Sequence, residues 1–423
     1  MAVFRVLPFL FALVCSACAT TQQRPNVVLI ISDDQAFSDY GFMGHDTIKT
    51  PHLDRLATEG VLFTRGSVPS SLCRPSLASM ITGLMPHHHG VTGNDPPRGT
   101  DRRQVVERFK RNTTLPSMLG KAGYRSHQSG KWWEGHYREG GFTHGMTHGD
   151  PKRRGRHGDV GLTIGRQGMQ PIYEFIEASE EPFFLWYAPF LPHTPHNPPA
   201  RLLKKYSGRG LNKFVARYYA MCEWFDETCG ELLGYLKKND LEKNTLVVFV
   251  TDNGWIQRTD NGRFAPRSKR SPYECGVRTP IILKWPGHLE AKKIETPVSS
   301  LDLCPTILAS CGLEVPDDLD GRSLLPLCRG EETDSPPVFG EVFAHDIVEV
   351  ERPEKGLRAR WVVDGHYKLI WPHLAGAAPE LFDVSKDPFE KRDLAKSKPK
   401  LVAELQAKIT GWWDVPAPLE RRR

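Results

Sequence analysis

No apolar run in the chain, the N-terminal one to about Val14 included, is long enough to cross a bilayer, so no transmembrane span is expected. Cysteines are few and never fall at zinc-ligand spacing, which argues against a structural zinc module. No internal repeat and no low-complexity tract occurs, so neither a repeat array nor a disordered chain is expected. Basic charge is also thin: the formal net charge is +6 over 423 residues, and dense runs occur only at KRRGR (152–156) and at the C-terminal RRR. Lacking a basic stripe or a recognition module, the chain is not expected to bind nucleic acid, although a mild attraction to anionic substrates is allowed. What remains is an ordinary globular composition, 39% hydrophobic and 25% charged, long enough for one large α/β domain or for two or three smaller ones.

Residues 1–19, MAVFRVLPFLFALVCSACA, combine one positive charge at Arg5, an apolar run to about Val14, and small residues at Ala17 and Ala19. This pattern predicts a secretory signal peptide cleaved after Ala19, hence an exported protein, periplasmic or extracellular. Lipid anchoring at Cys18 is the alternative, but a bacterial lipobox would want an aliphatic residue where Cys15 stands. Seven cysteines follow the leader. Setting Cys73 aside leaves Cys222, Cys229, Cys275, Cys304, Cys311 and Cys328, an even count that allows disulfides in an exported protein without proving any. Cys222 and Cys229 lie two helical turns apart, about 10 Å along the axis, too far to bridge each other.

NVVLIIS (26–32) is a continuous apolar, β-branched run, the pattern of a strand buried on both faces. Similar runs at 182–190, 245–254 and 279–287 are separated by helical patterns at 51–60, 115–123, 212–238 and 301–312. Strands alternating with helices predict a large, mainly parallel α/β sheet sandwiched by helices, which we place at 25–335. From about Pro336 the pattern changes to VFGEVFA and then LRARWVVDGHYKLIWP, where Asp364-Gly365 between two strand-like runs signals a hairpin. A small antiparallel α+β subdomain is therefore expected over 336–423, closed by a helix at about 398–412.

In open α/β sheets, ligands bind outside the carboxyl ends of the strands. Asp33 and Asp34 follow the first strand, and Asp252 and Asn253 follow TLVVFV. Taken singly, Asp-Asn-Gly reads as a turn and Asp-Asp as a helix cap. Together, three carboxylates and an amide at one edge would repel unless a hard cation sits between them, and oxygen ligands point to calcium or to magnesium. SLCRPSLASMITG (71–83) adds Cys73 at the start of a helix-like stretch, either as apolar filler or as a reactive group favoured by the helix N-terminus.

The ordered blocks Asp33-Asp34, Cys73 in CRPS followed by TG, Gly130-Lys131-Trp132, Pro192-His193-Thr194-Pro195, Thr251-Asp252-Asn253-Gly254, and Lys269 ahead of YECGVRTP resemble the type I sulfatases of the alkaline phosphatase superfamily. ELFDVSKDPFEKRDLA (380–395) resembles that family's closing segment, so the likeness covers the whole mature chain. The resemblance implies that Cys73 is converted by a formylglycine-generating modification enzyme into formylglycine, whose hydrate attacks sulfur and later expels sulfate. It also implies an alkaline phosphatase-like fold, a divalent metal on Asp33, Asp34, Asp252 and Asn253, Lys131 and Lys269 on the diol and sulfate oxygens, and His193 at the sulfate or leaving-group oxygen. His196, in the same loop as His193, is a weaker candidate for substrate contact.

Two positions depart from the family pattern. Leu77 stands four residues after Cys73, where the family has arginine, and Trp133 stands where it usually has histidine. Arg74 is the nearest cation in sequence that could replace the missing arginine, turned along the pocket wall because Pro75 favours an extended residue before it. His136 could stand in for the histidine, and Trp133 could form part of a sugar-stacking wall. The expected activity is hydrolysis of sulfate esters, of a sulfated saccharide or a small sulfate ester. A phosphodiesterase or phosphonate hydrolase on the same scaffold, and a non-catalytic relative that binds sulfated glycans, are the alternatives.

Overall fold

The computed structural model describes residues 24–180, 182–331 and 334–416; the expected signal peptide lies outside them. Nine strands form one sheet: β1 (Asn26–Ser32), β2 (Val61–Ser67), β3 (Arg125–Gly130), β4 (His144–Gly145), β5 (Phe183–Ala188), β6 (Thr245–Thr251), β7 (Arg278–Lys284), β8 (Lys292–Ile294) and β9 (Val298–Ser299). Their spatial order is β4-β3-β5-β1-β6-β7-β2-β8, with β9 also paired to β2. All pairings are parallel except those of β7, which runs antiparallel to both β6 and β2. β1 sits at the centre because every one of its residues is buried.

The continuous apolar runs fill both faces, with a period of two. Val27, Leu29 and Ile31 of β1, with Trp186, Val248 and Val250 of neighbouring strands, pack against the side that carries Leu77 and Ile81 of the Cys73–Thr82 helix. Val28, Ile30, Leu185 and Phe249 point the other way, onto Phe225 and Leu232 of the Lys213–Lys238 helix. Each such side chain stabilises the fold by roughly 1.5–3 kcal/mol when fully buried.

A second sheet is purely antiparallel, in the order β10 (Val338–Phe343), β11 (Leu357–Asp364), β12 (Tyr367–Pro372), β13 (Glu380–Asp383). The β11–β12 hairpin pairs Asp364 with Tyr367, and Gly365 takes the left-handed φ of +55° that the two-residue turn requires. The Pro399–Trp412 helix covers this sheet through Val402, Leu405 and Ile409. Cys222, Cys229, Cys275, Cys304, Cys311 and Cys328 are all free and buried, so the even count reflects core filling and not cross-linking.

Candidate active site

The carboxyl ends of β1, β3 and β6 converge. β1 delivers Asp33 and Asp34, β6 delivers Asp252 and Asn253, and β3 delivers Lys131. Gly130 ends β3 with φ +88°, and a Cβ there would lie 1.9 Å from the Ala188 carbonyl oxygen. Only glycine permits this close approach, which places Lys131 with its N–H donating to Ala188 O (2.6 Å). Asp34 also holds a left-handed φ of +63°, fixed by its N–H donating to Asp252 Oδ1 (3.0 Å).

Two ammonium groups stand among the three carboxylates. Lys131 Nζ donates to Asp33 Oδ1 (2.5 Å) and Asp252 Oδ2 (3.1 Å). Lys269 Nζ donates to both oxygens of Asp34 (2.6 and 2.7 Å) and lies 3.1 Å from Cys73 Sγ. Asn253 Nδ2 donates to Asp34 Oδ1 (2.7 Å), and His193 Nε2 lies 3.3 Å from Asp34 Oδ2. The structure therefore brings Cys73, Asp33, Asp34, Lys131, His193, Asp252, Asn253 and Lys269 into one cluster. Asp34, Cys73, Lys131, His193 and Lys269 line a cavity of about 580 Å³.

Burial pushes the Cys73 thiol up to about 11, overriding the opposing pull of Lys131 and Lys269. A thiolate is thus disfavoured here, and an unmodified cysteine would make a poor nucleophile. Burial raises Asp33 and lifts Asp252 to about 7, despite Lys131 beside both. Burial also works to raise Asp34, but Lys269, His193 and Lys131 outweigh it and hold that carboxylate well below its usual range. His193 is pushed down to about 3 by burial, hence neutral.

The donor set fits a hard divalent cation. Asp33 Oδ2 and Asn253 Oδ1 are buried without any hydrogen-bond partner, a costly state for polar oxygens that a bound cation would relieve. Single ligand atoms of Asp33, Asp34, Cys73 and His193 all lie within 4.8 Å of one another. His193 Nδ1 is 2.6 Å from Thr194 O and must donate to it, leaving the Nε2 lone pair directed at Asp34 Oδ2. Two acceptors facing each other call for a cation between them. Three carboxylates against two ammonium groups leave one negative charge, which a divalent ion turns into one positive, complementary to a sulfate monoester.

Three expected site residues stand elsewhere than anticipated. Arg74 is not turned along the cavity wall: the helix already begins at Cys73, and the Arg74 guanidinium is buried against Glu134, with Nε–Oε1 2.6 Å and Nη2–Oε2 2.7 Å. A bidentate carboxylate cancels the charge that was to replace the missing arginine. Leu77 itself packs into the core, so no cation takes that place from the helix. His136 lines a neighbouring cavity of about 830 Å³ and accepts from the Arg138 N–H (3.2 Å). His196 lies behind the wall, its ring 6.0 Å from that of Trp255, which does line the catalytic cavity. Trp133 does reach the cavity, with Lys131 Nζ 5.9 Å from its ring centroid. Sequence reasoning missed Arg156, His157, Arg270 and His345, which also line the cavity. KRRGR was the signal for the first of these; His345 comes from the region after β10 and carries no local motif.

Residues 25–313 match the family model Sulfatase, and residues 262–412 match N-sulphoglucosamine sulphohydrolase, C-terminal. The N-acetylgalactosamine-6-sulfatase of Rattus norvegicus is 31% identical over 382 residues, spanning 78% of this chain and 71% of that protein. The crystal structure of Ps i-CgsB in complex with k-i-k-neocarrahexaose has a TM-score of 0.78 at 26% identity, covering 95% of each chain. The phosphonate monoester hydrolase of Agrobacterium radiobacter shares the fold, with a TM-score of 0.69 at 21% identity over 92% of this chain and 95% of that one. Cluster, fold and family model agree: the chain belongs to the type I sulfatase family of the alkaline phosphatase superfamily and is a sulfuric ester hydrolase.

Proposed function

We propose that the protein is an exported, calcium-dependent sulfatase acting on a sulfated carbohydrate through a formylglycine derived from Cys73. The observation that carries this reading is Lys269 Nζ, which joins the Asp34 carboxylate to Cys73 Sγ beside two orphaned oxygens. Formylglycine, as its hydrate, would supply one oxygen to attack sulfur and a second hydroxyl to expel sulfate, while the cation would supply charge neutralisation. Asp33, Asp34, Asp252 and Asn253 would hold that cation, with magnesium the alternative ion. Lys269 holds the reacting atom of residue 73 against Asp34, and Lys131 fixes Asp33 and Asp252 at their spacing. Both ammonium groups remain charged under working conditions, since the carboxylates outweigh the burial that opposes their charge. Such preorganised cations stabilise charge that develops on sulfate oxygens. His193, neutral and anchored through Nδ1, points Nε2 at Asp34 Oδ2 and lines the cavity, where it would contact the sulfate or leaving-group oxygen.

The saccharide substrate is supported by the named substrate of the rat relative and by the oligosaccharide in the Ps i-CgsB complex. Export rests on the 1–19 leader; no described helix is long and apolar enough to cross a membrane. The phosphonate monoester hydrolase shows that the fold alone does not choose between sulfur and phosphorus. Initial rates on an aryl sulfate, a sulfated monosaccharide and an aryl phosphodiester, with and without chelation, test the reading. We expect sulfate esters to be preferred, activity to be lost to chelator, and calcium to restore it. Faster phosphodiester cleavage, or indifference to chelation, would overturn it.

A further inference from the structure

The catalytic cavity and the 830 Å³ cavity beside it share two wall residues, Trp133 and Arg156. Arg156 ends the KRRGR run and adopts a left-handed φ of +80°. Among the described residues only seven other than glycine take such a φ, and three of them, Asp34, Arg156 and Arg270, line the catalytic cavity. Strain of this kind persists where the surroundings impose it, commonly at functional walls.

The charge at the shared wall is unbalanced. Arg156 and Arg102 both pair with the single carboxylate of Asp95, and both donate to Asn94 O (3.4 and 3.1 Å). Two guanidinium groups on one carboxylate leave a positive charge facing the cavities. The crowding is severe enough that burial, with Arg74 and Arg156 close by, pulls Arg102 down to about 10. Arg156 Nε is buried with no partner among the described residues, and its guanidinium lies 5.7 Å from the Trp133 ring centroid. The acidic residues of the larger cavity have partners of their own: Glu107 and Glu139 pair with Lys110, Asp101 pairs with Arg103, and Asp150 accepts from the Lys152 backbone N–H.

We propose that the larger cavity is a subsite for the sugar adjoining the one that carries the cleaved sulfate, and that Arg156 binds a second anionic group, sulfate or carboxylate, on that sugar. The substrate class is then an oligosaccharide with at least two anionic groups, read from two adjacent cavities through one shared cationic wall. The inference rests on the saccharide reading above. Arg156 is a specificity residue here: it holds substrate without touching the ester sulfur.

The test is steady-state kinetics on three disaccharides with the same ester-sulfated residue, whose second sugar is sulfated, carboxylated or neutral, together with an aryl sulfate. We expect a charged second sugar to raise kcat/KM about tenfold over the neutral one, through KM, the scale of one charge-assisted contact. Whichever anion produces the gain identifies the group. Arg156→Ala should bring the charged-to-neutral ratio close to one. Equal kcat/KM for charged and neutral disaccharides on the unaltered enzyme would overturn the proposal, and that comparison needs no variant. An Arg156→Ala enzyme that keeps the preference would also overturn it. Hydrolysis of the aryl sulfate with no turnover of any saccharide would instead overturn the saccharide reading beneath it.

Discussion

Lys368, Glu274 and Glu390 form a buried charge cluster of nearly the same composition as the one that joins Lys131 and Lys269 to Asp33, Asp34 and Asp252. In the first, the charges balance although Glu390 Oε1 makes no hydrogen bond: Lys368 Nζ lies 2.8 Å from Glu274 Oε1 and 3.3 Å from Glu390 Oε1, Arg278 approaches Glu274 Oε2 (3.7 Å), and Glu390 Oε2 accepts from the Glu274 N–H (2.7 Å). Two cations meet two anions, and Lys368 has no solvent exposure. In the second, Asp33 Oδ2 and Asn253 Oδ1 have no partner, one negative charge is left over, and the cluster opens on a cavity. Buried charge by itself therefore marks nothing. Unbalanced charge beside a cavity separates a site that receives a cation and an anion from a brace that ties β12 to the short Glu274–Val277 helix before β7.

The largest expected effect tests that distinction on the open cluster. Lys269→Ala should lower kcat about 10²–10³-fold, the scale for one preorganised donor. Residue 73 must first be shown to be modified equally in both proteins. On the closed cluster, Lys368→Met should leave the kcat of folded enzyme intact and cost about 3–5 kcal/mol of stability, because two carboxylates stay buried without their cation. Urea unfolding and initial rates separate the two outcomes. Lost turnover at unchanged stability in Lys368→Met would erase the contrast.

Arg74 belongs with the brace and not with the site. Arg74→Ala should destabilise by about 3 kcal/mol by stranding Glu134, and the double variant Arg74→Leu, Glu134→Leu should recover most of that loss. Unaltered stability with lost turnover in Arg74→Ala would return this arginine to catalysis.

The smallest effect is one of pH. Burial, only partly offset by Lys368, raises Glu390 to about 7 in the folded state, above its ordinary 4.5. A raised carboxyl pKa means the folded state holds the proton more tightly than the unfolded chain. That contribution is complete below about 4.5 and is lost as the pH climbs through 7. Glu390→Gln should flatten this decline, seen as a smaller fall in Tm between pH 5 and pH 8. An unchanged slope would show that the pairing with Lys368 is already complete.

Strands were legible where the chain is apolar on both faces. β1, β5, β6 and β7 are uninterrupted runs, and the Asp364-Gly365 turn announced its hairpin. β3, with the sequence RSHQSG, was not legible, since Ser126, Gln128 and Ser129 find partners at Thr143, Gly130 O and Trp186 O that no local pattern names. In the site, the residues that follow strand ends were legible because chain order alone puts them at one edge. Arg74 misled for a physical reason: sequence proximity to Cys73 says nothing about Glu134, sixty residues away, which claims its guanidinium. Arg156, Arg270 and His345 reach the cavity from distant loops, and two of them do so through left-handed backbone that only the folded chain reveals.

The central claim is that Cys73 is a precursor and that its thiol never acts. Its most direct test is the mass of the tryptic peptide containing residue 73, from active enzyme purified from its native host. We expect a peptide lighter than the encoded one by about 18 Da, the difference between a thiol and an aldehyde side chain, and reactive toward hydrazides. An intact thiol in fully active enzyme would contradict the account.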